Sequence, residues 1–213
     1  MCAVPAAGAQ TTDGTPDPTV PAAAPLTLRL GDSGPDVNNL NRRLQALSYL
    51  PAGPIPPYFD DSTLAAVTAF QKWTGSPRTG VVGPLTLARL SHSHRPRVRR
   101  FGGKHAEVDL SRQLVFWVSA TGRVVETVSV ATGMNGYQTP QGHFRVFRKS
   151  MWSWSHEYHV WMAYASYFVG GVAFHEGDLS TRRDSHGCVQ LPYGFAKAFF
   201  AWLGMGTPVW VHR

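Results

Sequence analysis

Thiols are nearly absent from this chain: two cysteines occur in 213 residues, Cys2 near the start and Cys188 far along it. Two positions cannot make a disulfide framework, and Cys2 sits in a stretch too poor in apolar residues to pack, so no intramolecular bridge is expected. Acidic residues are also scarce, 13 against 20 Lys plus Arg, for a net charge of +7 and a pI near 9.8. That balance favours an anionic neighbour such as nucleic acid, a membrane surface or an acidic cell wall. Nucleic acid is the weakest of these. The one dense basic run, His94-Arg95-Pro96-Arg97-Val98-Arg99-Arg100, contains a proline and reads as a solvated linker. Long hydrophobic runs are missing too. The longest uncharged stretch, Tyr158 to Phe174, falls short of the ~20 apolar residues that a spanning helix needs. Gly170-Gly171 breaks it, and its aromatic and β-branched content suits buried strands. No HExxH or CxxC spacing occurs, which weakens a zinc reading.

What is present divides into segments. The first residues lack the charged start and apolar core of a secretory leader. Residues 1–25, rich in Ala, Pro, Thr and Gly, cannot bury enough surface to offset their ordering entropy and are expected to be a disordered tether of an exported, cell-wall or extracytoplasmic protein. Cys2 then has two readings, a lipid-anchoring cysteine or an incidental one. From residue 26 to 90 the pattern is helical. Val37, Leu40, Leu44 and Leu47 make one apolar stripe, with Ser33 as the expected N-cap and Pro35 in the first turn. A second helix is expected from about Ser62 to Trp73, closed by Gly75, and a third from Pro84 to about Leu90. Residues 91–100 read as linker.

From residue 101 to 213 short β-rich segments take over: Val108–Leu110, Leu114–Val118, Val124–Val130 and Gly142–Phe147, separated by turn residues. One prominent helix is expected after Pro192, with Phe195, Phe199 and Trp202 facing inward, before a last strand at Val209–Val211. The fold class expected is therefore two domains, a small all-α three-helix bundle followed by a mostly β domain with one C-terminal helix.

Cys188 lies in Arg183-Asp184-Ser185-His186-Gly187-Cys188-Val189-Gln190-Leu191. A free thiol with pKa ~8.5 is mostly protonated at neutral pH, so a nucleophilic role needs an imidazole to take the proton. His186, two residues away, shares a face with Cys188 if the segment is extended. His175 ends the apolar run Gly171-Val172-Ala173-Phe174, and a strand there would meet a strand carrying Cys188 across a sheet. Gly187 permits close approach of a substrate carbonyl, and the N–H groups near Cys188 suit an oxyanion. Two other readings remain open on residues alone. Cys188 is a small core hydrophobe, or His175, His186 and Cys188 hold zinc, with the His156/His159 pair as further ligands.

These residues resemble the L,D-transpeptidase (YkuD-type) family of bacterial cell-wall enzymes, whose motif is a histidine, a variable loop and Ser/Thr-His-Gly-Cys. His175 and Ser185-His186-Gly187-Cys188 match it. Val128-Ser129-Val130-Ala131-Thr132-Gly133 and Thr139-Pro140-Gln141-Gly142-His143-Phe144 resemble its upstream strand and turn. Residues 26–90 resemble a peptidoglycan-binding domain, through Leu30-Gly31-Asp32-Ser33-Gly34, Phe59-Asp60, Phe70-Gln71 and Thr79-Gly80-Val81-Val82-Gly83-Pro84. The resemblance implies Cys188 as nucleophile, His175 as general acid/base, His186 in support and backbone donors around Gly187 for the oxyanion. It further implies Ser185, Gln190, Tyr164 and Tyr167 as candidate substrate contacts, with core packing the competing job of either tyrosine. Neither metal nor cofactor is implied. The implied partners are peptidoglycan stem peptides and glycan, the implied reaction a 3→3 cross-link with release of D-alanine, and carbapenems are expected to acylate the thiol. An L,D-carboxypeptidase with the same cysteine and a zinc D-alanyl-D-alanine carboxypeptidase are the alternatives. Three departures from the family pattern are visible: a short loop after His175, Gln190 where Asn or Arg is common, and Glu176 directly after the histidine.

Overall fold

The computed structural model describes residues 25–99, 102–177 and 185–213. The tether before Pro25, Cys2 with its two readings, and most of the loop after His175 lie outside them. Three helices come first: α1 (Pro35–Ala46), α2 (Asp61–Thr74) and α3 (Pro84–His92). Gly34, at φ 111, is the N-cap of α1, not Ser33; Ser33 instead forms a β-bridge with Tyr58. The turn before α1 needs a left-handed residue, and that requirement outweighs a serine's capping bond. Asp60 caps α2 by accepting from the Thr63 N–H at 2.9 Å, and Gly75 ends it in the left-handed conformation. The apolar stripe Val37, Leu40 and Leu44 packs with Val67 and Phe70 of α2, all buried.

Nine strands and one helix follow among the described residues. Strands β1 (His105–Asp109), β2 (Leu114–Val118), β3 (Val124–Ser129), β4 (Gly142–Arg145) and β9 (Pro208–His212) form a five-stranded sheet in the order β3-β2-β1-β9-β4. Strands β5 (Arg148–Ser155), β6 (Val160–Val169), β7 (Val172–Glu176) and β8 (Val189–Leu191) form a four-stranded sheet in that order. The helix α4 (Phe195–Trp202) packs Phe199 on Trp117 of the first sheet, ring centroids 5.0 Å apart, and edge-on against Phe174 of the second at 4.9 Å. It starts three residues later than Pro192 suggests, because the Pro192 carbonyl accepts from Phe195 and Ala196 and closes a turn first. The uncharged stretch from Tyr158 to Phe174 is β6 and β7, joined through Gly170-Gly171. No helix among the described residues is long and apolar enough to cross a membrane.

Strand β2 is apolar at every position, and it is buried on both faces. Leu114, Phe116 and Val118 pack with the helical bundle; Val115 and Trp117 pack with α4 and the second sheet. The five-stranded sheet is thus a middle layer. Polar bonds fix the bundle to it. Lys72 Nζ donates to the carbonyls of Gln113 (3.2 Å) and Val130 (2.9 Å), and the Thr127 N–H donates to Ser48 O at 2.7 Å. The basic run after α3 is pinned rather than freely solvated: Arg95 Nε donates to Ala46 O at 2.8 Å, and the Arg99 N–H donates to Glu107 Oε1 at 3.0 Å.

Glu126 of β3 pairs across the ladder with Trp117 and is only 5% exposed, with one carboxyl oxygen unpartnered among the described residues. Burial pushes its carboxyl up to about 8 from an ordinary 4.5. The native state therefore keeps a proton that the unfolded chain has released, and stability falls as pH rises from about 4.5 toward 8. Glu126→Gln is expected to flatten that fall and to raise Tm at pH 8 by about 2–4 °C for each kcal/mol recovered. Calorimetry at pH 5 and pH 8 checks it; equal pH slopes in both proteins contradict the assignment.

Candidate functional site

Strands β7 and β8 run parallel in the register Phe174↔Val189, His175↔Gln190, Glu176↔Leu191. Phe174, Val189 and Leu191 point into the core beside α4. Side chains alternate along a strand, so His175 and Ala173 lie on the opposite face. Cys188 immediately precedes β8, level with Ala173, whose N–H reaches its Sγ at 3.5 Å. His175 therefore stands two residues further along the neighbouring strand, about 6–7 Å in the strand direction, on the same side as the thiol.

Both groups are desolvated. Burial pushes the Cys188 thiol up, with the Ala173 N–H partly opposing. Burial likewise lowers His175, which is 7% exposed, against the opposing pull of the Glu176 carbonyl. His175 Nδ1 lies 2.6 Å from Glu176 O. A carbonyl only accepts, so Nδ1 carries the hydrogen, and the neutral ring keeps its lone pair on Nε2. The resting pair is a neutral thiol and a neutral imidazole. Glu176, which directly follows the histidine, meets the ring through its backbone carbonyl.

The loop entering β8 is braced rather than extended. Ser185 Oγ donates to Cys188 O at 2.5 Å and accepts from the Gly187 N–H at 3.2 Å. Thr139 Oγ1 donates to Gly187 O at 2.8 Å and accepts from the Gly133 N–H at 3.0 Å. Gly187 sits at φ 113, a conformation that disfavours any side chain. At Gly133 an added Cβ would lie 1.9 Å from Tyr137 O, so the Thr132–Thr139 loop can close on Gly187 only because no side chain is there.

Cys188 opens into a cleft of about 390 Å³ whose walls include Arg148, Trp154, Tyr158, Met162, Tyr167 and His186. The turn between β5 and β6 supplies one wall. Its Tyr158 ring stacks on the exposed His186 at 4.2 Å, and Tyr137 meets the other edge of that imidazole at 4.7 Å. Tyr167 is held by Ser153, 2.7 Å from its hydroxyl, and by the Arg148 guanidinium 3.7 Å above its ring.

Several expectations need revision. His186 does not share a strand face with Cys188: the turn at Gly187 sends its ring between Tyr137 and Tyr158. The Gly187 N–H is committed to Ser185 Oγ and is not free for an oxyanion. Ser185, 3% exposed and expected as a substrate contact, has its hydroxyl taken up in bracing the turn. Gln190 packs its side chain against Gly177, where a Cβ would meet it at 3.0 Å, and it does not line the cleft. Tyr164 turns to the core face, its ring 6.0 Å from Phe200 of α4. Tyr167 does line the cleft. His156 is at the cleft wall and His159 faces Trp154, on the far hairpin. No three His, Cys, Asp or Glu side chains among the described residues gather as a metal-ligand set. Sequence reading missed Thr139, Tyr137, Tyr158 and Trp154. Only the turn motif around Thr139 carried a local signal, because the aromatics reach the cleft through long-range packing.

Fold and site together define a two-sheet catalytic-type domain, with a helical companion layer and a half-buried thiol at the mouth of a cleft. The chain belongs to the L,D-transpeptidase catalytic domain family, whose model matches residues 103–211. A peptidoglycan binding domain model matches residues 33–90 ahead of it. Both halves of the expected fold class, helical then mostly β with a C-terminal helix, are therefore observed. A crystal structure of residues 123–326 of the L,D-transpeptidase from Xylanimonas cellulosilytica is similar at TM-score 0.81, with 33% identity over 89% of this chain and 98% of that one. An L,D-transpeptidase from Stackebrandtia nassauensis is similar at TM-score 0.55, with 30% identity over 90% of this chain and 98% of that one. An uncharacterised protein of Kitasatospora aureofaciens is 46% identical over 63 residues, 29% of this chain and 52% of that protein. The chain spans about half the length of that curated relative.

Thr139→Val keeps the side-chain shape but unpairs the buried Gly133 N–H and Gly187 O, a loss of about 1–3 kcal/mol for such groups. Catalytic efficiency is expected to fall further than Tm implies, because the loosened turn carries Cys188. Parallel measurement of Tm and of acylation rate checks this; an unchanged rate in a folded variant contradicts the bracing role.

Proposed function

We propose that the protein is a cell-wall L,D-transpeptidase that forms 3→3 peptidoglycan cross-links through a Cys188 thioester. The observation that supports the reading is the parallel β7–β8 register, which puts His175 and Cys188 on one face of the sheet, with Cys188 lining the cleft. His175 Nε2 takes the thiol proton, and Sγ attacks the carbonyl between the diamino acid and the D-alanine of a tetrapeptide stem. The Cys188 N–H is the donor we assign to the oxyanion, since that of Gly187 is already bonded to Ser185. The carbon–nitrogen bond breaks as His175 returns its proton to the departing amine of D-alanine. The thioester keeps the acyl group activated. An amine of a neighbouring stem then attacks it, loses its proton to His175, and the thiol is regenerated without a nucleotide.

His186 acts through shape here, joining the Cys188 turn to the β5–β6 hairpin through Tyr158. The helical layer would hold the enzyme on the wall polymer and raise the local concentration of stems by tethering. Such a substrate places the enzyme outside the cytoplasm, with the net positive charge suited to an anionic wall.

Intact-protein mass spectrometry with a disaccharide-tetrapeptide tests the reading. A thioester adduct on Cys188 and a dimeric product are expected; trimmed monomer alone identifies water as the acceptor. Cys188→Ser should abolish the adduct, and undiminished D-alanine release by that variant overturns the mechanism. His175→Gln should slow acylation about 10²–10⁴-fold. The pH profile of kcat/KM follows from the two burial effects. Activity requires a neutral imidazole, so with His175 lowered the acid limb falls below the ordinary histidine range. With the Cys188 thiol raised, the alkaline limb lies above the ordinary thiol range. The expected result is a wide plateau whose acid limb vanishes in His175→Gln.

A further inference from the structure

Strands β5 and β6 form a long hairpin at the edge of the second sheet, and its surface is unusual. Trp152 is 64% and Trp161 63% exposed, and the two indoles line a shallow depression. Burying such side chains normally contributes about 1.5–3 kcal/mol apiece, so leaving both in water is a standing cost that function must explain. Trp154, the register partner of Trp161, links this patch to the reaction site. Its ring lies 5.2 Å from that of Trp161, and it also forms part of the Cys188 cleft wall. An aromatic strip therefore runs without a break from the cleft to the outer hairpin.

Resting on the transpeptidase reading above, we propose that Trp152 and Trp161 are a sugar-stacking platform that holds the N-acetylated glycan strand from which the reacting stem hangs. Indole rings present a broad negative face to the polarised C–H groups of a pyranose, while the ring edges remain free for water and hydroxyls. The patch is continuous with the cleft expected to take the stem peptide, and a stem and its glycan are one covalent molecule. The hairpin's own chemistry argues against a lipid surface. Its tip is the polar turn Ser155-His156-Glu157-Tyr158-His159, with the indoles set back along the strands. Tip-first insertion would desolvate the Glu157 carboxylate.

The test uses the full chain and needs no turnover, so it separates failure of the platform from failure of the thiol chemistry. Cys188→Ser is titrated with the β-1,4-linked tetramer of N-acetylglucosamine and followed by indole fluorescence and calorimetry. Saturable binding is expected, weakened about tenfold or more by Trp152→Ala plus Trp161→Ala, a loss of about 1.4 kcal/mol or greater. Both side chains are exposed, so the double variant should keep its circular dichroism and Tm. Trp152→Phe should retain part of the affinity, as a smaller aromatic face would. Equal affinity in the parent and the double variant overturns the proposal. So does binding to phosphatidylglycerol–phosphatidylcholine vesicles in place of the tetramer, which assigns the patch to lipid. Tryptophan-dependent dimerisation by sedimentation, without tetramer binding, overturns it in favour of a second copy.

Discussion

Parallel pairing of β7 with β8 is the constraint on which the site depends. A parallel pair cannot be joined by a tight turn, so the chain must leave the sheet after Glu176 and rejoin it at Val189. That excursion brings residues thirteen apart in sequence onto neighbouring strands. The register then fixes their spacing, since a one-residue slip would send the imidazole into the core and a core residue into its place. The apolar alternation of Phe174, Val189 and Leu191 against α4 prevents the slip. Core packing on one face of β7 and β8 thus positions the polar pair on the other.

The same division of labour recurs across the molecule. Strand β2 has no polar position and so can be covered twice, which makes the helical bundle a layer of the structure and not an appendage. Lys72 strengthens the junction because its ammonium, taken from water, must find acceptors, and the Gln113 and Val130 carbonyls meet it there. A rigid junction would keep the wall-binding module and the cleft at a constant separation. A flexible linker gives only an average.

Much of this was legible in the residues. The helical stripe of α1, the helix α2 with its Gly75 stop and the unbroken run Leu114–Val118 follow from periodicity and turn chemistry alone. That His175 and Cys188 come to neighbouring strands was legible in the pattern of strand, polar loop and strand, whereas the parallel sense of the pairing was not. What escaped reading depended on tertiary contact. Ser185 was read as a substrate contact, but burial turns its hydroxyl into a clasp between Gly187 and Cys188. Gly187 was expected to donate to substrate, and the same clasp takes its N–H. Tyr164 and Tyr167 are three apart in one strand and equally aromatic; only the packing of α4 against one face assigns Tyr164 to the core and Tyr167 to the cleft. Layering also escaped, although a strand apolar at both parities already implies cover on both faces.

Desolvation connects the architecture to the chemistry. Apolar side chains close one side of the half-buried thiol: Met162, Ala165, Tyr167 and Ala173 pack about Cys188, and burial disfavours a charged pair at rest. Burial that keeps Cys188 protonated also limits its adventitious oxidation, since oxidants attack the thiolate. In the proposed mechanism, proton transfer would become favourable only as a bound carbonyl develops charge against the backbone donor, coupling activation of sulfur to the presence of substrate. The thioester of that mechanism would form in the cleft that Tyr158 and His186 line together with Cys188. The aromatic wall and the half-buried thiol therefore share one face of a sheet whose other face is core.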